Sequence, residues 1–178
     1  NMQNFDLLKA VGRLDKPVLL KRGLSVKWYI LGYGDRETQI REAIQAVHME
    51  DFVVLLGKKE NPYPYIRMCD IYVQPSVYEG KCVAVREAQL LGKPVIITDF
   101  STAHNQLRDG TDGMIAPLDF DSFTDALAAL IQDNEKQEAL KAACRSTDFT
   151  QYKEAEKILR FAEGRESYAE DQRHCADL

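Results

Sequence analysis

Two glutamates carry the chemistry that this sequence can be read for. Glu79 falls in a turn, Tyr78-Glu79-Gly80, after an apolar run that ends at Pro75-Ser76. Glu87 falls inside the segment that follows, where Ala84, Glu87, Ala88 and Leu91 recur at helical spacing. Gly92 and Pro94 are stop signals for that helix, and Val95-Ile96-Ile97-Thr98 reads as a short buried strand. Strand, glycine turn, helix and strand in that order make a βαβ unit, whose ligands sit beyond the carboxyl ends of the strands. The free amides and the dipole at a helix start favour an anion, above all a phosphate. A carboxylate further along the helix is badly placed for phosphate, but it can accept two hydrogen bonds from a vicinal diol such as a ribose. A second carboxylate in the turn can take hydroxyls from another sugar across a diphosphate. The ligand that satisfies both is a nucleoside diphosphate sugar. Without their flanks, Glu79 is an ordinary solvated turn residue and Glu87 a surface helix residue.

The flanks decide between those readings. PSVYEGKCVAVREAQLLGKPVIITD resembles the Glu-x7-Glu motif of the family 4 retaining glycosyltransferases, which have the two-domain GT-B fold. Glu79 and Glu87 match the paired glutamates, and Gly92-Lys93-Pro94-Val95-Ile96 matches the family's G-x-P-V-I continuation. The resemblance takes in Leu31-Gly32-Tyr33-Gly34 upstream and the D-G-x-x-G turn at Asp109-Gly110-Thr111-Asp112-Gly113 downstream. It implies a Rossmann-like, mainly parallel sheet with helices on both faces, as in the carboxyl-terminal, nucleotide-sugar-binding half of a GT-B enzyme.

The resemblance also assigns roles. Glu79 is the catalytic glutamate that holds the donor sugar, and Glu87 holds the ribose. Backbone amides of Gly80, Lys81, Cys82 and Val83 steady the diphosphate, although Lys81 and Cys82 differ from the commoner family residues there. The turns at Gly32, Gly34 and Gly57 lie beside the nucleobase, where Tyr63 or Tyr65 is either a stacking partner or an ordinary packed tyrosine. Val11-Gly12-Arg13-Leu14 looks like the family's V-G-R-L, which ends a first strand and makes Arg13, with Lys16, a phosphate ligand. The alternative for Arg13 is a solvated helix residue, since residues 4–11 have helical spacing of their own. Gly23 is followed almost at once by the next strand, which leaves no room for the helix that the family places between.

Other features set bounds. The chain has 178 residues and a net charge of −5, which argues against a nucleic-acid surface. Cys69, Cys82, Cys144 and Cys175 are widely spaced and read as reduced thiols. No apolar run approaches a membrane span, and a cytoplasmic location is expected, peripheral to a membrane for a full-length enzyme. Neither a metal nor a cofactor is expected, the donor being a UDP- or GDP-sugar. Along the chain, strands are expected at residues 26–31, 52–56, 71–74, 95–98 and 113–116. Helices are expected at 35–47, a short one at 66–69, and a short one before Leu107. Residues 120–164 read as helices with packing stripes, in a domain spanning 1–164 with a polar tail at 165–178. Arg86 reads as an exposed helix residue, and Thr98, Ser101 and Thr102 as donors to sugar or phosphate.

The functional expectation is a donor-binding domain of a retaining glycosyltransferase that serves polysaccharide or glycolipid synthesis. The sugar or lipid-linked acceptor would be held by a preceding half. Two alternatives share the sheet: a sugar-nucleotide epimerase and a non-catalytic nucleotide-sugar module. A nicotinamide dehydrogenase ranks last, because Glu37 stands where the dinucleotide fingerprint needs its third glycine and no acidic residue closes a strand at the expected distance.

Overall fold

The computed structural model describes residues 18–21 and 27–149. They form one six-stranded sheet: β1 (Val18–Lys21), β2 (Lys27–Leu31), β3 (Val53–Gly57), β4 (Ile71–Gln74), β5 (Val95–Thr98) and β6 (Met114–Ala116), in the order β3-β2-β1-β4-β5-β6. β2 and β3 pair in parallel, as do β4 with β5 and β5 with β6. β1 is antiparallel to both of its neighbours, β2 and β4. Because β1 opposes both, β2 and β4 point the same way, and five strands share one carboxyl edge. The expectation of a mainly parallel sheet therefore holds, with an antiparallel strand at its centre as a correction. That strand had no counterpart in the sequence reading, and its direction has a simple cause. A parallel crossover needs about a dozen residues or more, and the link from Lys21 to Lys27 is far shorter. The chain turns back as a hairpin where the family places a helix.

Side chains alternate along the strands, and each set meets its own layer of helices. Trp28, Ile30, Ile71, Val73 and Ile96 pack with helices α1 (Glu37–Ala46), α4 (Phe120–Gln132) and α5 (Asn134–Ser146), through Ile40, Ile44, Phe123, Leu127, Leu130 and Leu140. Tyr72, Val95 and Ile97 face the other way. They pack with α2 (Tyr63–Met68), α3 (Val83–Leu90) and a single 3₁₀ turn at Ala103–Asn105, through Ile66, Val85, Ala88 and Ala103. A strand that swaps face at every residue and is buried on both sides must be apolar throughout. β5 meets that demand with Val-Ile-Ile-Thr, all buried. Full burial of one such side chain contributes roughly 1.5–3 kcal/mol.

Local signals set the helix ends. Asp119 and Asp133 cap α4 and α5, each accepting from the amide three residues on, Ser122 at 2.9 Å and Lys136 at 2.8 Å. The short helix expected at 66–69 begins earlier, at Tyr63, because Pro62 and Pro64 occupy its first turn, where the missing N–H costs nothing. Gly92 ends α3 with φ +67°, a left-handed conformation that glycine alone adopts without strain. The helix expected before Leu107 is only the 3₁₀ turn. Among the described residues, no helix is long and apolar enough to cross a membrane. A unit boundary falls between Thr147 and Asp148. The boundary expected at residue 164, the helix at 4–11, Arg13, Lys16, Val26, Cys175 and the last packing stripe lie outside the described residues.

Candidate functional site

Glu79 and Glu87 stand at the carboxyl edge shared by the five codirectional strands, on the side of the sheet that carries α2 and α3. Glu79 follows β4, and its carboxylate is fixed by a chain of polar side chains. Gln74 shares the face of Tyr72 by the two-residue period of the strand, and the Tyr72 hydroxyl donates to Gln74 Oε1 at 2.8 Å. That bond orients the Gln74 amide, whose Nε2 then donates to Ser76 Oγ at 2.8 Å and to Glu79 Oε1 at 3.3 Å. Ser76 Oγ in turn donates to Glu79 Oε1 at 2.8 Å. Hydrogen bonds to a charged group contribute about 1.5–3 kcal/mol, so two donors on one half-buried oxygen hold it firmly. The turn itself is tied down as well: Thr102 Oγ1 donates to the Glu79 carbonyl at 2.8 Å, and Gln106 Nε2 to the Gly80 carbonyl at 3.4 Å.

Glu87 is reached differently. It projects from the middle of α3 toward α2, where the Tyr63 hydroxyl donates to Glu87 Oε1 at 2.9 Å. The carboxylate raises the Tyr63 phenol pKa, chiefly through that hydrogen bond and then through its charge. Tyr72 links the two glutamates electrostatically. Burial pushes its phenol well above the ordinary value; the Cys82 and Cys69 thiols add to this, then Glu87, then Glu79. Both carboxylates thus act on one buried ring.

Between them lies the start of α3, whose N-cap is Cys82 with no side-chain cap bond. The Val85 amide donates to the Cys82 carbonyl at 3.2 Å, and the amides before the helix, from Gly80 to Val83, are the ones an anion would meet at this start. Cys82 is nearly buried; desolvation raises its thiol, while the amides of Val85 and Ala84 pull the other way. Its sulfur thus lies against the helix start. Among the described residues, a Cβ added at Gly80 would meet nothing within 4 Å, and its φ is not one that demands glycine. The fold therefore does not require glycine at this point of the rim. Lys81 and Val83 beside it are exposed.

The other expected residues gather elsewhere. Gly32, Gly34 and Gly57 come together at the carboxyl ends of β2 and β3, lining a hollow with Ile30, Tyr33, Glu37, Ile40 and Leu55. The hollow opens to solvent. Lys58 Nζ stands 5.2 Å over the Tyr33 ring at its mouth. β1 separates this hollow from the glutamates, so the expected site residues form two groups along one rim.

Several residues differ from the sequence reading. Thr98 Oγ1 donates to the Ser76 carbonyl, and Thr102 to that of Glu79, so both hydroxyls brace the turn instead of facing a ligand. Arg86 is half-buried, not exposed. Its Nη2 donates to the Gln106 carbonyl at 3.0 Å, and burial lowers its pKa. The D-G-x-x-G turn is an anchor for α3. Gln89, fully buried, donates to the Asp112 carbonyl at 2.9 Å and to its carboxylate at 3.3 Å, while Asp112 pairs with Arg108 at 2.8 Å. Among the described residues, Gln89 Oε1 has no partner. Gln74, Ser76 and Tyr63 had not been singled out as partners of the glutamates. For the first two a signal was present: polar residues that end a strand buried throughout.

The comparisons with known proteins agree with this arrangement. The family described as "Glycosyl transferases group 1" matches residues 3–147. A Campylobacter jejuni N-acetylgalactosamine-N,N'-diacetylbacillosaminyl-diphospho-undecaprenol 4-alpha-N-acetylgalactosaminyltransferase is 29% identical over 167 residues, covering 87% of this chain and 46% of that protein. An Escherichia coli UDP-Gal:alpha-D-GlcNAc-diphosphoundecaprenol alpha-1,3-galactosyltransferase is 28% identical over 106 residues, covering 60% of this chain and 31% of that protein. Among solved structures, Anabaena Alr3699/HepE in complex with UDP superposes with a TM-score of 0.72 at 17% identity, covering 91% of this chain and 45% of that one. The chain thus spans about half the length, or less, of the relatives it matches, and its fold is one half of a GT-B arrangement. By the match over most of its length, this chain belongs to the group 1 glycosyl transferases.

Proposed function

We propose that the chain is the donor-binding half of a retaining glycosyltransferase that takes a sugar from a nucleoside diphosphate and passes it to a sugar or lipid-linked acceptor. The observation that carries this reading is the uncapped start of α3 lying between two carboxylates on the sheet's carboxyl rim. In the proposed complex Glu87 accepts from the ribose hydroxyls, and Glu79, fixed by Gln74 and Ser76, accepts from hydroxyls of the donor sugar. The amides from Gly80 to Val83 face the diphosphate, and the open space at Gly80 lets it approach the backbone. During transfer the bond between the anomeric carbon and the diphosphate oxygen breaks with its electron pair leaving on the phosphate. A bond to the acceptor oxygen forms on the same face, and the proton of that oxygen passes to the departing phosphate. Fixed amides and the helix dipole stabilise the charge that gathers on the leaving group without reorganising at that moment.

The acceptor and the other wall of the cleft belong, on this reading, to a preceding half of the enzyme. The relatives from C. jejuni and E. coli are named for undecaprenol-linked acceptors, and the second for UDP-galactose; HepE was crystallised with UDP. These names favour transfer over epimerisation and UDP as the first nucleotide to try. Isothermal titration of the 178-residue chain with UDP, GDP and ADP is the test. One diphosphate binds in the micromolar range, and Glu87→Ala weakens it by about 20-fold or more, as expected when a charged acceptor is removed. Absence of heat from all three at millimolar concentration overturns the assignment.

A further inference from the structure

Two glutamates at one site are held by unequal means, and the less secure one has a partner that the proposed function does not use. We infer that Tyr63 is a positioning residue: its hydroxyl clamps Glu87 in the orientation that accepts a ribose diol. The inference rests on the proposed role of Glu87 and adds a specificity determinant to it.

Among the described residues, no cation lies within ion-pair distance of Glu87. A glutamate side chain left free surrenders rotamer entropy when a ligand immobilises it. The Tyr63 hydroxyl at 2.9 Å removes part of that freedom beforehand. Tyr63 is itself well placed to do so. Its amide donates to Asn61 Oδ1 at 3.1 Å, and prolines 62 and 64 flank it, so its backbone is settled before any ligand arrives. One phenol occupies one lone pair of Oε1. A carboxylate offers about four acceptor sites, so Oε2 and the remaining lone pair of Oε1 can still take both hydroxyls of a vicinal diol. The clamp therefore leaves room for the ligand. The rival is a competitor whose hydroxyl takes a place that the ligand needs, and it predicts the opposite sign.

Tyr63→Phe keeps the ring and removes only the donor. Titrate wild type, Tyr63→Phe and Glu87→Gln with UDP and with 2′,3′-dideoxy-UDP, and run the GDP and ADP pairs in parallel. The expected result is a preference for the ribose form in wild type. In Tyr63→Phe the ribose form weakens by about 5–10-fold while the dideoxy form is unchanged, so the preference collapses at an unaltered melting temperature. A merely structural tyrosine would weaken both ligands alike, and a competitor would strengthen the ribose form; either outcome overturns the inference. If Glu87→Gln loses the ribose preference and Tyr63→Phe keeps it, the clamp falls and the donor site stands. If no nucleotide binds the wild-type chain, both readings fall together.

Discussion

The two ends of the sheet's carboxyl rim are built from different materials. At the β2–β3 end the concavity is made by backbone: Gly32, Gly34 and Gly57 shape it, and Gly57 does so with φ +68°. At the β4 end the chain turns through Glu79-Gly80 without left-handed backbone, and side chains fix the geometry, with Gln74, itself oriented by Tyr72, and Ser76 on one carboxylate and Tyr63 on the other. Backbone concavities are stiff and indifferent to side-chain chemistry. Side-chain networks are chemically selective and fail when one member is removed. At the first region a ligand would meet backbone, whereas at the second it would meet side chains.

Glycine substitutions sharpen that comparison most strongly. Gly57→Val forces a β-branched residue into left-handed backbone and is expected to lower stability by about 2 kcal/mol or more, read as a shift of the urea midpoint. Gly80→Ala, with open space around its Cβ, is expected to leave that midpoint within about 0.5 kcal/mol. It should nonetheless weaken the nucleoside diphosphate that binds in titration. Equal stability losses for the two would break the distinction.

Within the second region, Gln89→Ala opens a cavity behind α3 and takes one donor from Asp112, which keeps its bonds from Arg108, for an expected loss of about 1–2 kcal/mol in the same measurement. Ser76→Ala removes one donor from Glu79 and should cost about 1 kcal/mol, with no effect on the β2–β3 end. Comparable loss in a Ser76→Ala, Glu79→Gln double variant and in the sum of the singles would show that the pair is uncoupled.

Alkaline pH probes the same buried layer. Tyr72 has its phenol pushed well above 10 by burial, and Cys69, also buried, has its thiol pushed up to about 12. For groups raised in the folded state, the stabilising contribution is complete below the unfolded values, near 9 for the thiol and 10 for the phenol. It is lost as pH rises through the folded ones. Stability should thus decline progressively above pH 9, and Tyr72→Phe should flatten the decline above pH 10; an unchanged slope in that variant would contradict the burial of the phenol. The smallest effect concerns Cys82. Its thiol, raised by desolvation, should alkylate at least about 10-fold more slowly at pH 8 than an unstructured cysteine, as read by mass spectrometry.

Much of this layout is written in local sequence. The buried β5, the stop at Gly92 and Pro94, and the turn at Glu79-Gly80 each follow from rules that operate over a few residues, and so does the family motif they make up. The βαβ order then puts both glutamates at one rim. Their partners are another matter. Tyr63 and Glu87 are brought together only because α2 and α3 share one face of the sheet, and Arg86 meets Gln106 for the same reason. The direction of β1 was half visible, in a link too short for a helix, but its place at the centre of the sheet is a matter of tertiary pairing. Spacing along a chain reports which residues share a face, because that depends on bond geometry alone. Which faces then meet depends on the packing of elements far apart in sequence, and only the folded structure decides it.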